Sequence, residues 1–541
     1  MIGVVAEQAD LEVAAEFFEL FKTPWEPAVT GRIYRVILAT NGEVDRVNAD
    51  VMLIFGAKEN GFDQTMGVKG TWLPGPVCVE WGQSTYPIYG GTRVFESDVT
   101  NGAVNLQGRP VECRFEMEGR VVRRVGYDLF EEVRHLLKVG QPGTYALTPT
   151  LDVHVDFLRQ LLMDSKVSFV EIPPSPRGYD YMCCLTHDVD FFGIRRHMFD
   201  RTMAGFLYRS SIGSLIDLIR GRRTLSEAVQ NWVAFCSLPL VFSGIARDFW
   251  RPFESYAQVE DRRTSTFFLV PFRGMPGVSP DGAGNSWRAT PYGINDIQEA
   301  VMAAANEGSE LGLHGLDAWC NSDSGRKEMR QLTALSGQES VGIRMHWLYF
   351  DEQSPVRLEE AGFDYDSTWG YNEAVGYRAG TSQPFRPIGC SALIELPMLI
   401  MDSALFSSGR MGLASTQAMP LCRRILEHAR RAGGAVVINW HERSLAPERL
   451  WGRFYKELLN EVRQGDRVWF AKAREAVEWF RWRRSIRFTR TGYSGNDVQI
   501  QVAAPPMIGI GALAYVYRAG TSGIEKDVMP IDGGALLSVE V

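Results

Sequence analysis

The chain has 541 residues, 45% hydrophobic and 23% charged, too many for one small core and ordinary in composition for a globular protein of two or three domains. Its net charge of −8 gives no electrostatic reason to expect nucleic acid, and no long basic run suggests a membrane surface. No window reaches the ~18–20 apolar residues of a spanning helix; the best, "SALIELPMLIMDSALF", is broken by Glu395, Pro397 and Asp402.

The opening "MIGVVAEQADLEVAAEFFELFKTPWEP" lacks a basic leader and reads as no signal peptide. The eight cysteines are scattered without a Cys-x-x-Cys pair, so free thiols in a cytoplasmic location are expected and a Cys-based zinc site is not. Residues 1 to about 175 mix a helical opening with alternating runs such as "RIYRVILAT" and "DVMLIFGA", then helix-like "YDLFEEVRHLLKVG" and "LDVHVDFLRQLLMDS". This reads as an N-terminal α/β domain whose role no motif sets. "EIPPSPRGYD" is a Pro-rich turn or linker.

From 176 to 484 the rhythm changes. Short apolar runs ("YMCCLTHD", "TSTFFLVPF", "SELGLHG", "VGIRMHW", "FDYDST", "ALIELPMLI", "GAVVINWHE", "RVWFAKA") alternate with helix-like segments, which predicts βα units and a parallel sheet or barrel. The stretch from about 195 to 262 breaks that rhythm and reads as a helical insertion that walls the site. Residues 485–541 alternate and carry turn signals such as Ser-Gly-Asn-Asp, which reads as a small all-β segment.

Four of the eight histidines, His187, His314, His346 and His441, stand at or near the ends of these runs. In a βα barrel the C-terminal strand ends and following loops build the active site, so residues far apart in sequence converge there. Asp188 and Asp190 are two apart and point to one side of an extended chain, while Val189 points away. Imidazole with carboxylate suits Zn²⁺, Fe²⁺ or Co²⁺. The plainer readings are an acidic turn for Asp188 and Asp190, a surface cation for Arg344, and a helix N-cap or turn for Asp366. His135, His154, His197 and His428 fall in helical or inserted segments and read as structural.

In order, "THDVD", "LGLHG", "GIRMHW", "GFDYDSTWGY", "ELPMLIMD" and "NWHE" resemble the metal-dependent polysaccharide deacetylases, the NodB-homology group of carbohydrate esterases. The resemblance spans residues 180 to about 480 and is nearest the variant with Thr-His-Asp-Val-Asp. It implies a distorted (β/α)7-type barrel and one divalent metal, Zn²⁺ first with Co²⁺ or Ni²⁺ as alternatives. The implied reaction removes an acyl group from an acetylated sugar or polysaccharide, in surface glycan biosynthesis.

The resemblance also implies roles. Asp188 is the general base and Arg344 the residue that orients it. Asp190 is a metal carboxylate, one place later than the usual second Asp. His314 is the first metal histidine, and His441 is the general acid, with Asp366 or Asp402 orienting it. The family repeats a histidine four residues after the first; here that position is Ala318. His346 is the first candidate for the missing ligand, with Asp317 and His187 as alternatives. Trp347, Trp440 and Tyr371 adjoin the motifs and are candidates for stacking on sugar, as against core packing. Two other functions stay open: hydrolysis of an O-acetyl or other amide group, and a site that no longer turns over in a glycan-binding or scaffold protein.

Overall fold

The computed structural model describes residues 1–40, 48–96, 103–117, 119–282, 284–465, 467–494, 497–506, 509–520, 523–532 and 536–540. The Gly495-Asn496 centre of the expected Ser-Gly-Asn-Asp turn lies outside the described residues.

The site is carried by a parallel sheet. Its hydrogen-bonded order is Ile394–Glu395, Tyr365–Asp366, Gly342–Met345, Glu310–Gly315, Ser265–Leu269, Tyr181–Val189, Ala435–Asn439 and Met398–Met401, with Val468–Phe470 also pairing to the start of Tyr181–Val189. Every pairing in it is parallel. These strands are apolar on both faces because helices cover one side and side chains fill the other; Tyr181–Val189 is buried along its whole length.

The two ends of that order, Ile394–Glu395 and Met398–Met401, are joined by Leu396 and Pro397 alone. Three Cα steps span at most about 11 Å, so the sheet must curl until its edges nearly meet. No strand ladder crosses the seam. Isolated bonds tie the chain there instead, among them Met398 N–H to the Trp369 carbonyl at 2.9 Å and Gly376 N–H to the Leu399 carbonyl at 2.8 Å, while Leu396 N–H extends the neighbouring ladder to the Asp366 carbonyl at 2.7 Å.

Between the first two barrel strands the chain forms helices Arg201–Tyr208, Ser214–Ile219 and Leu225–Phe242, the first two joined by one π turn at Arg209–Gly213. Thr224 and Glu227 form a reciprocal capping box that starts the longest of them.

Ahead of the barrel, a six-stranded sheet runs in the order Glu112–Met117, Arg120–Val125, Asn48–Phe55, Ile33–Thr40, Ile2–Val5, Trp25–Pro27. Helices Leu11–Phe21, Leu129–Lys138 and Thr150–Asp164 share its core. After the barrel, the hairpin Ala512–Gly520/Gly523–Ile531 pairs with Phe169–Glu171, so the chain's end is woven into the segment that precedes the barrel. Arg483, fully buried, donates to the carbonyls of Glu19, Leu20, Ile172 and Pro173 and ties the last barrel helix to that segment. Among the described residues no helix is long and apolar enough to cross a membrane.

Candidate active site

Alternation along Tyr181–Val189 sorts its polar residues. Thr186 and Asp188 turn toward Arg344, which donates from Nη1 to Thr186 Oγ1 and to Asp188 Oδ1, both at 2.9 Å. His187 turns the other way. It is fully buried, with Nδ1 2.9 Å from the Trp440 carbonyl, Nε2 3.1 Å from Glu260 Oε2, and its ring stacked 3.6 Å from that of Tyr256. His187 is thus a packing and hydrogen-bonding residue and supplies no ligand to the site.

One step beyond the strand, the Asp190 backbone N–H donates to Glu442 Oε2 at 3.0 Å, which fixes where its carboxylate points. Asp190 Oδ1 lies 3.3 Å from His314 Nε2 and 3.2 Å from His346 Nε2. The ligand atoms of these three residues all fall within 4.8 Å of one another. His314 comes from the end of Glu310–Gly315, and His346 directly follows Gly342–Met345, the next strand of the sheet. His346 is thereby the third member of the candidate metal-holding group. The other two alternatives are engaged elsewhere: His187 as above, and Asp317 through Oδ1, which accepts from the Val278 N–H at 2.6 Å. Ala318 is buried beneath helix Ser322–Ser336, where a Cβ on Gly325 would come within 3.2 Å of its own Cβ, leaving little room for an imidazole.

The donor set fits a divalent cation. His314 Nδ1 sits 3.0 Å from the Arg344 carbonyl, an acceptor only, so Nδ1 carries the hydrogen and Nε2 presents its lone pair. Asp190 Oδ1 is buried and makes no hydrogen bond, although two ring nitrogens lie beside it. Two imidazoles and one carboxylate converging with room for further ligands is the donor chemistry of a catalytic metal site.

Asp188 sits beside this triad with both oxygens engaged, Oδ1 by Arg344 and Oδ2 by Asn439 Nδ2 at 2.7 Å. Arg344 is itself fully buried and held by the Ser367 carbonyl and hydroxyl at 3.0 and 2.9 Å. Burial alone would raise the Asp188 carboxyl; the Arg344 guanidinium, with His314 and His441, holds it below the usual carboxylate range.

On the opposite wall His441 Nδ1 lies 2.6 Å from Asp402 Oδ1. Asp402 Oδ2 accepts from the His441 backbone N–H at 2.7 Å and from the Ser444 hydroxyl. Burial pushes the His441 ring down, but the Asp402 carboxylate, helped by Asp190 and Asp188, lifts it to about 10. His441 Nε2 faces the cleft, 4.0 Å from Asp190 Oδ2.

Of the two carboxylates expected at His441, Asp402 fills the place and Asp366 does not. Asp366 Oδ1 accepts from the Thr368 N–H at 3.0 Å and from its hydroxyl, and burial raises its carboxyl to about 6. Trp347 lines the cleft, a cavity of about 150 Å³ that also takes in Arg410, Arg449 and Trp451. Trp440 and Tyr371 do not line it. Trp440 is fully buried and stacked 4.9 Å from Tyr455, and the Tyr371 hydroxyl donates to the Gln141 carbonyl at 2.7 Å.

Asn439 and Glu442 were not singled out in the sequence. The available signal was period-2 spacing, which puts Asn439 on the face of His441 at the end of one strand.

No protein-family model matches the chain, and no curated protein matches it. Among solved structures it is similar to a putative polysaccharide deacetylase from Mycobacterium smegmatis, at 22% identity and a TM-score of 0.35 over 60% of this chain and 100% of that one. It is also similar to a probable polysaccharide deacetylase from Pseudomonas aeruginosa PAO1, at 15% identity and a TM-score of 0.35 over 57% of this chain and 94% of that one. A third, the Puue allantoinase, is 12% identical with a TM-score of 0.34 over 57% and 92% of the two chains.

Proposed function

We propose that the protein is a metal-dependent hydrolase that removes an N-acetyl group from a sugar or polysaccharide, in surface glycan biosynthesis. The observation that carries this reading is the grouping of Asp190, His314 and His346 between an Arg-held carboxylate, Asp188, and an Asp-held imidazole, His441.

Asp190, His314 and His346 would hold the ion, Zn²⁺ being first choice for two imidazoles and a carboxylate. A bound divalent ion supplies Lewis acidity, which polarises an acyl carbonyl and eases ionisation of water. Asp188 accepts the proton of the attacking water; Arg344 and Asn439 keep its charge and aim. His441 delivers a proton from Nε2 to the leaving nitrogen, with Nδ1–H held on Asp402. Splitting base and acid between two walls lets each keep the protonation state its step needs. The eight free cysteines support a reducing compartment. We assign residues 176–484 as the catalytic unit, with 1–175 and 485–541 as supporting parts.

The test is metal content followed by acetate release from a panel of N- and O-acetylated sugars. Near one Zn²⁺, Co²⁺ or Ni²⁺ per chain and acetate from an N-acetylated sugar are expected. Absence of stoichiometric metal sinks the reading, and release from O-acetyl sugars alone replaces it with an esterase.

A second expected result concerns pH. An acid catalyst works only below its own pKa, so turnover falls as pH rises through that of His441. Asp402→Asn removes the strongest influence raising His441, and the alkaline limb of kcat against pH should move down toward the ordinary imidazole value of ~6.5. A limb that stays in place would remove His441 from the acid role.

A further inference from the structure

The chain between residues 198 and 245 leaves an unusual surface. Of the 20 large apolar side chains exposed among the described residues, 12 lie in this stretch, with Phe199 at 95% and Ile219 at 77% exposure. They fall in stripes. Ile212, Leu215 and Ile219 are spaced three and four apart on the first arm of a helical hairpin; Leu225, Val229 and Val233 are spaced four apart on the second. The opposite faces are the packed ones: Met203 and Phe206 on the first arm and Ala234, Leu238 and Val241 on the second share a small core with Trp250. Each arm thus has one apolar stripe inside and one outside, and among the described residues nothing covers the outer one.

Charge says what suits that outer surface. Between residues 195 and 247 the sequence holds eight arginines, no lysine and three carboxylates, in a chain of net charge −8. Arg220 and Arg222 stand exposed at the tip of the hairpin, next to Ile219. A second copy seated on the same face would set arginine against arginine. An exposed apolar stripe edged by arginines matches the boundary between anionic headgroups and acyl chains.

We propose that this hairpin docks the protein on an anionic lipid surface, lying in the interface without crossing it. The absence of a long basic run hid this in the sequence, because the arginines are dispersed along two helices and become a patch only when the hairpin folds. The hairpin also touches the loop after His441: Asn231 donates to the Pro447 carbonyl, and Trp250, packed in the hairpin's inner core, donates from Nε1 to Glu448 Oε1 at 3.1 Å. Docking would therefore bring the loop that carries His441 to the lipid surface.

The test uses the full chain and vesicles of phosphatidylcholine alone or mixed with phosphatidylglycerol, read by flotation. Binding to the mixed vesicles should exceed binding to the neutral ones by roughly tenfold or more, and added salt should weaken it. Ile212→Gln with Ile219→Gln, both solvent-facing and checked by melting, should lower binding by roughly tenfold. Arg220→Ser with Arg222→Ser should remove most of the preference for the anionic lipid. No flotation with either vesicle overturns the inference, as does flotation unchanged by both double variants. A dimer in solution that the Ile212→Gln, Ile219→Gln pair dissociates, without vesicle binding by the parent, would assign the surface to a second copy instead.

Discussion

Asp188→Asn is expected to lower kcat by about 10²–10⁴-fold, the usual contribution of a positioned general base, while metal content stays at that of the parent. The asparagine keeps the shape and still accepts from Arg344, but it no longer takes a proton. The three atoms proposed to hold the ion are on Asp190, His314 and His346, so the substitution leaves them in place. It does strip a buried arginine of its counter-charge, so turnover must be normalised to folded protein, with melting followed alongside. Activity within about tenfold of the parent would remove Asp188 from the base role, since so small a loss falls below what a general base supplies.

Arg344→Met is expected to be the most destabilising single change in the barrel, by about 3–5 kcal/mol, because it leaves a buried carboxylate unpaired. Arg344 and Asp188 are both essentially buried, 2.9 Å apart. Arg344 also supplies the donors that satisfy Thr186, the Ser367 hydroxyl and the Ser367 carbonyl. Urea unfolding measures the loss. The double variant Asp188→Asn, Arg344→Met should be less destabilised than the two singles added together, because neither leaves a lone charge once both are gone. A loss under about 1 kcal/mol for Arg344→Met would mean that the pair is not buried as described.

The strand-end positions of His314, His346 and His441 and the pairing of Asp188 with Asp190 were legible because strand periodicity is local and the C-terminal ends of parallel strands share one face. The same periodicity should have set Trp440 aside, since it stands between Asn439 and His441 and must point away from them. Choosing between Asp366 and Asp402 was beyond local reasoning. Both end apolar runs, but Met398–Met401 is hydrogen-bonded to the strand that leads to His441, whereas Tyr365–Asp366 lies near the other end of the sheet. Strand order is a property of the whole chain. Tyr371 was hidden for the same reason, because its partner, the Gln141 carbonyl, lies 230 residues away in sequence. The lipid-facing hairpin was illegible in a further sense: each helix has apolar residues on two faces, and which face is left bare is decided by what else packs there.

The seam at Leu396 and Pro397 gives the barrel a line of mechanical compliance. Everywhere else around the sheet a ladder resists spreading, and at the seam isolated bonds such as those from Met398 to Trp369 and from Gly376 to Leu399 take its place. Asp402 follows the strand on one side of that line, and its bonds to His441 and Ser444 carry any displacement to the wall that holds His441. His314 and Asp188 sit on laddered strands away from it, and His346 directly follows another. Spreading at this line would therefore move the Asp402 side of the cleft first and leave Asp190, His314 and His346 in register with one another.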